Sequence, residues 1–144
     1  MDDGTAKKLI EKNLSYDEVK RLTVKLVQHA SPQTARLEAE PQVLALIRDV
    51  VKPELEQAGL HPAIDNMGNL ILRLRGRSSE DRLMLVGYAM CAAPSTMQNP
   101  YSGEVIDGAP FKLTGQCVWG RGACEQKGSL AAMMAAVRFL GFNK

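Results

Sequence analysis

Two short stretches hold most of the side chains that could do chemistry. One is Trp119-Gly120-Arg121-Gly122-Ala123-Cys124-Glu125-Gln126-Lys127-Gly128-Ser129, where glycines lead into an apolar helical pattern carrying a thiol, a carboxylate and an amine. The other is Gly87-Tyr88-Ala89-Met90-Cys91, at the end of the longest apolar run of the chain. Glycines ahead of a helix let backbone N–H groups approach an anion, which invites a phosphate-loop reading of the first stretch. The pattern fails. A Walker loop needs Gly-Lys followed by Ser or Thr, whereas Lys127 precedes Gly128, and the acidic residue that a dinucleotide fingerprint requires further on is missing.

The elements that must position these residues follow from hydrophobic spacing. Ser15-Tyr16-Asp17-Glu18 has the S-x-x-E form of a capping box, and Val19, Leu22, Thr23, Leu26 and Val27 recur at helical spacing up to His29. Ser31-Pro32 breaks this helix. A second helical pattern runs from about Glu38 through Pro41, Val43, Leu44, Ile47, Val50 and Val51; Pro53 ends or kinks it, and Gly59 provides the exit. Asp65-Asn66-Met67-Gly68-Asn69 has the composition of a turn and joins Pro62–Ile64 to Leu70–Arg75 as a hairpin. The uninterrupted apolar Leu83–Val86 predicts a central strand covered on both faces. Residues 91–116 read as a long functional loop, followed by a short strand Cys117–Trp119 and a helix from about Gln126 to Leu140. Helices on either side of a mostly buried sheet predict an α/β protein of α/β/α layers. The strand tip and the glycine-rich turn both lie at strand ends, where open α/β sheets place ligands.

Composition narrows the function. A chain of 144 residues is about one domain, with 1–14 expected as a flexible leader and 15–144 as the folded part. Eighteen basic against sixteen acidic residues leave a charge of only +2, without a basic block able to neutralise many phosphates, which argues against nucleic acid. The apolar run is too short to span a membrane and no secretory h-region opens the chain, so a cytoplasmic location is expected. Cys91, Cys117 and Cys124 are odd in number and lack paired spacing, so they are expected as reduced thiols. His29 and His61 are the only histidines, and His29 reads as a helix-end residue. Trp119, Met133 and Met134 read as packing residues, Arg73, Arg75 and Arg77 as a solvated strand face, and Lys127 as a partner of Glu125 or of local carbonyls.

The order Asp65-x-x-Gly68-Asn69, an apolar strand ending in Gly87, a proline-containing loop, Asp107-Gly108 and then Gly-Arg-Gly-Ala-Cys-Glu-Gln-Lys-Gly resembles the first third of the zinc-dependent aminoacylase and carboxypeptidase family. That family includes acetylornithine deacetylase, succinyl-diaminopimelate desuccinylase, glutamate carboxypeptidase and carnosine dipeptidase. The resemblance covers about Ser15 to Leu140. It implies a three-layer α/β/α catalytic domain with a mixed, mostly parallel sheet, and hydrolysis of amide or peptide bonds next to a carboxylate. Zinc or another divalent metal would be the cofactor, and a small N-acyl amino acid or peptide the substrate.

In the family the central strand ends in Gly-His-x-Asp, whose histidine binds metal and whose aspartate orients it. Tyr88 and Met90 stand at those positions, so both groups are replaced. Glu125 takes the place of the bridging aspartate and is the one orthodox metal candidate; Cys91 and Cys124 are soft ligands that could substitute. The family's general base and remaining ligands follow on segments beyond Lys144. The resemblance therefore implies that this chain alone is inactive and self-associates through an open sheet edge, or that it is a non-catalytic relative acting as a ligand-binding or interaction scaffold.

Overall fold

The computed structural model describes residues 4, 5, 7, 8, 15–76, 78 and 80–142. The expected leader falls outside them except for Gly4, Thr5, Lys7 and Lys8, which are helical and exposed. Arg77 also lies outside.

Helix α1 (Tyr16–Val27) starts where the capping signal places it. The Ser15 hydroxyl accepts the Glu18 N–H at 3.2 Å, and Leu22, Thr23, Leu26 and Val27 form the buried stripe. After a 3-10 turn at Leu37–Ala39, α2 (Pro41–Ala45) runs through a π-helical stretch, Leu46–Val51, into α3 (Lys52–Glu56). Pro53 does not end the rod, which continues to Glu56. It has no N–H to donate and its ring crowds the carbonyl four residues back; the widened turn, in which Lys52 N–H bonds Ile47 O five residues back, absorbs both problems. A π-helical turn, Ala123–Lys127, leads into α4 (Gly128–Phe142), which packs along α1. Leu22 and Leu26, Leu46, Val50, Val51 and Leu55, and Ala131, Met134 and Ala135 close one core, capped by Ala58 and Leu60.

One carboxylate is buried within this helical core. Glu54 is 1% exposed and receives Arg21 Nη2 at 2.7 Å, Lys25 Nζ at 2.6 Å and Arg138 Nη1 at 3.3 Å; Arg138 also donates to the Glu54 carbonyl. The hydrogen bond from Arg21 outweighs the cost of burial and, with Lys25, holds the carboxyl down at about 2. Arg21 is raised in turn by Glu18 and Glu54.

The protein is mixed α/β, and its strands form two antiparallel pairs. Strand β1 (Ala63–Ile64) pairs with β2 (Leu70–Ile71) in the register Ala63↔Ile71 and Ile64↔Leu70. The intervening turn closes on Asp65, whose Oδ1 accepts from Met67 N and Asn69 N at 3.0 and 2.9 Å. The hairpin is therefore present, with its second strand shorter than the expected Leu70–Arg75. Strand β3 (Glu104–Asp107) pairs with β4 (Gln116–Trp119), Glu104 facing Trp119 and Asp107 facing Gln116. Residues 91–116 are thus not one long loop: β3 lies within them, hidden from sequence reading because its alternation covers only four residues.

The largest departure concerns Leu83–Val86. This stretch is not a covered central strand. Leu83, Met84, Leu85 and Val86 are 86%, 82%, 54% and 77% exposed, and no strand pairs with them among the described residues. An apolar run specifies burial only when neighbours exist to provide it. The described strands lie elsewhere, and the single parallel contact among the described residues is a bridge between Pro32 and Cys91.

Candidate functional site

The two chemically interesting stretches meet. Ser31 hydroxyl donates to Ala89 O at 2.8 Å, Cys91 N to Ser31 O at 2.9 Å and Gln33 N to Cys91 O at 2.7 Å, which fixes the end of the 87–91 segment against the chain leaving α1. From the other side, Arg121 N donates to Pro100 O at 2.6 Å and Arg121 Nε to Ala92 O at 3.0 Å. The Glu125 carboxylate accepts Ala92 N at 3.4 Å. Ala92 is therefore clamped through both its backbone groups by the glycine-rich turn.

The turn can do this because of its glycines. Gly120 (φ 151°) and Gly122 (φ 86°) occupy conformations that L side chains rarely adopt. A Cβ on Gly122 would stand 2.9 Å from Cys91 Cβ and 3.1 Å from Lys127 Cδ, so the bare backbone is what admits both neighbours. Gly122 O then accepts Gln126 N and Lys127 N at 3.2 and 2.9 Å, starting the π-helical turn that carries Glu125.

Lys127 is the anchor beneath. Its side chain is wholly buried, its ammonium donates to His29 O at 2.7 Å, and it stands 5.6 Å from the centre of the Tyr101 ring. The carbonyl at the end of α1 and the π face offset part of the lost hydration. Burial nonetheless pulls its pKa below the usual lysine value. The carbonyl that Lys127 meets is not one of the local ones expected but that of His29, 98 residues away in the chain. Tyr101 hydroxyl is buried without a hydrogen-bond partner among the described residues, and burial raises its pKa. Tyr101 and Ser31 escaped sequence reading, since a lone tyrosine in a loop and a serine before proline carry no signal of a shared junction.

The candidate ligands diverge in environment. Glu125 is exposed and engaged by Ala92. Cys91 is buried with its thiol 3.5 Å from Ser31 O, whereas Cys124 is exposed. Tyr88 hydroxyl donates to Met90 Sδ at 3.8 Å, so the two residues at the replaced positions contact each other. Among the described residues no three His, Cys, Asp or Glu side chains gather closely enough to hold a metal ion. A lone exposed carboxylate, a phenol engaged with Met90 and a buried thiol do not supply the donor set of a tetrahedral zinc ion. Elsewhere, an open groove of about 730 Å³ is lined by Arg36, Leu44, Ile47, Arg48, Ile64 and Asp65 among others. Its Asp65 is consumed by the hairpin turn and its Arg48 by Asp49 at 2.6 Å.

Of the expected packing residues, Trp119 lies 5.8 Å from Phe111, ring centre to ring centre, and donates to Gln98 O, Met134 is buried and Met133 is half-buried. Arg73 and Arg75 are exposed, but they follow β2 and do not form a strand face. The thiols give a direct check. Cys124 is expected to react with a disulfide reagent in the folded protein at the rate of an open thiol, and Cys91 only on unfolding, read as thiol equivalents released with and without denaturant.

Comparison with protein-family models, curated proteins and solved structures returned no match. No helix among the described residues is long and apolar enough to cross a membrane.

Proposed function

We propose that this chain is an N-terminal portion of a catalytic domain of the aminoacylase and carboxypeptidase type, a class that hydrolyses amide or peptide bonds next to a carboxylate on small N-acyl amino acids or peptides. In this reading the finer architecture is the three-layer α/β/α sandwich with a mostly parallel sheet. The observation that carries it is the junction at Ala92. The end of the 87–91 segment and the Gly-Arg-Gly turn, the two motif segments that the resemblance pairs around a metal, are drawn together by Glu125 and Arg121 from about thirty residues away in the chain.

The chain by itself is proposed to be inactive. Zinc or another divalent metal supplies the Lewis acid and the activated water in that class. Here Tyr88 and Met90 offer neither the imidazole nor the orienting carboxylate. What the chain's own residues do is structural: Lys127 and Arg121 hold the turn, and Glu125 presents a carboxylate at the strand-end side. A second reading, an interaction scaffold without catalysis, is favoured by the Tyr88–Met90 contact and by the exposure of Leu83–Val86.

Restoring the ligand position tests the first reading. Tyr88 is 46% exposed, so Tyr88→His should fold. It is expected to raise zinc affinity by about tenfold or more over the native chain, a gain of at least ~1.4 kcal/mol, and Glu125→Ala in the same background should remove the gain. Calorimetric titration reads both. No gain in a folded Tyr88→His variant, or a gain that survives loss of Glu125, counts against the reading. Chelator-sensitive hydrolysis of N-acyl amino acids by the native chain would overturn its inactivity.

A further inference from the structure

We propose that Ser78 is the phosphoryl acceptor for an arginine-directed serine/threonine kinase, with Arg75 and Arg73 as the side chains that such a kinase reads. Arg73-Leu74-Arg75-Gly76-Arg77-Ser78 sets arginines three and five residues ahead of a hydroxyl. The fold gives this charged row no partner of its own. Among the described residues neither the Arg73 nor the Arg75 guanidinium has a hydrogen bond or an ion pair, and both side chains are exposed.

The backbone presents the row as a substrate strand. Leu72 and Leu74 are half-buried against the core while Arg73 and Arg75 face outward, the alternation of an extended chain. No helix or strand covers the described residues between Leu72 and Tyr88, and none of them makes a backbone–backbone hydrogen bond. A Cβ on Gly76 would meet nothing within 4 Å, so the chain stands clear of the body directly after Leu74. A cleft that takes an extended segment can therefore reach Ser78 without melting any described element. The arginines state what must line that cleft. A guanidinium is a planar fork that pairs two-pronged with a carboxylate, and patterned charge is the means by which kinases separate their substrates. Two acidic pockets at the matching spacing complement Arg75 and Arg73.

The hydroxyl is placed for transfer. Ser78 is exposed, its Oγ accepts Glu80 N and Asp81 N at 3.2 and 3.1 Å, and its proton has no acceptor among the described residues. In the transfer Oγ bonds the γ-phosphorus of ATP as the bond from that phosphorus to the β–γ bridging oxygen breaks. The serine proton passes to the catalytic carboxylate of the kinase, and ADP leaves with the bond's electron pair. The two amides that held the hydroxyl are then beside phosphate oxygens, which accept more strongly. The modification adds a charge of about −1.5 to −2 at neutral pH, which nearly cancels the net +2 of the chain.

This assignment stands apart from the catalytic-domain reading, and its test does not read hydrolysis. The full folded chain is incubated with Mg-ATP and protein kinase B, a kinase that selects arginine three and five residues before its acceptor, and the product is mapped by mass spectrometry. One phosphoryl group per chain, on Ser78, is expected, and Ser78→Ala should abolish it. Arg75→Ala should lower kcat/KM for transfer at least ~10-fold, the loss of one charge-assisted pair, with Arg73→Ala also impaired and the downstream Arg82→Ala unchanged. All three arginine variants should keep the native circular dichroism, because Arg73, Arg75 and Arg82 are exposed. Absence of transfer to the folded chain overturns the proposal, as does transfer only after denaturation or only to another hydroxyl. Transfer to Ser78 that is indifferent to both Arg73 and Arg75 overturns the recognition. So does faster transfer by the acid-directed casein kinase 2 that is lost in Asp81→Ala, since Glu80 and Asp81 would then be what is read.

Discussion

Replacing Glu54 by alanine is expected to lower the unfolding free energy by about 3–5 kcal/mol, the cost of breaking a buried ion pair by removing one partner. The carboxylate is 1% exposed and is the shared anion for Arg21, Lys25 and Arg138, which come from α1 and α4. Removing it leaves Glu18, which pairs with Arg21 and Arg138, as the one carboxylate among the described residues facing the three cations where α1, α3 and α4 meet. Glu54→Gln keeps the shape and some hydrogen bonding but not the charge, so it should fall between the native protein and the alanine variant. Urea unfolding followed by circular dichroism measures both, and losses below about 1 kcal/mol, the value of an ordinary surface pair, would show that the cluster contributes no more than that.

The same group sets an acid limit. Its carboxyl is held at about 2 in the folded chain against an ordinary 4.5. The unfolded chain therefore binds the proton first as pH falls. The stabilisation is complete above about pH 5 and disappears between pH 4.5 and 2. Its size is about 2–3 kcal/mol once water screening of the half-exposed Arg21 and Lys25 is allowed for. Glu54→Gln should flatten the fall of stability across that window, and a native pH profile already flat from 5 to 2 would refute the assignment.

The second large effect is at the turn. Gly120→Ala is expected to cost about 2–5 kcal/mol, combining strained backbone with overpacking. At φ 151° an L side chain is disfavoured, and the added Cβ would overlap Val27 Cγ1 while standing 3.1 Å from Pro100 O. Val27 is itself fully buried in α1, so it cannot swing aside. Gly115→Ala is the matched control. It also has a positive φ, 78°, but nothing lies within 4 Å of its Cβ, so only the backbone penalty of about 1–2 kcal/mol applies. Equal losses at the two positions would mean that contact with α1 does not constrain the turn. A larger loss at Gly120, together with faster reaction of the Cys91 thiol, would tie the turn to the junction that Cys91 shares with Ser31.

Local signals in the chain were enough for the elements whose stability is local. Ser15 with Glu18 and the spacing of Leu22, Leu26 and Val27 determined α1, because capping and a one-sided apolar stripe act within a few turns. Asp65 through Asn69 determined the hairpin turn, because the Asp65 carboxylate satisfies amides two and four residues on. The glycines before the last helix marked the bend that carries Glu125. Tertiary structure decided the rest. Pro53 continues the rod because a π-helical stretch forms ahead of it, and β3 exists because β4 lies beside it. Leu83–Val86 stands exposed because an apolar run states a preference for burial and cannot name what will cover it. The junction at Ala92 and the buried Lys127 likewise join residues far apart in the chain. Their hydrogen bonds depend on distances in space, to which periodicity, composition and spacing along the sequence are blind.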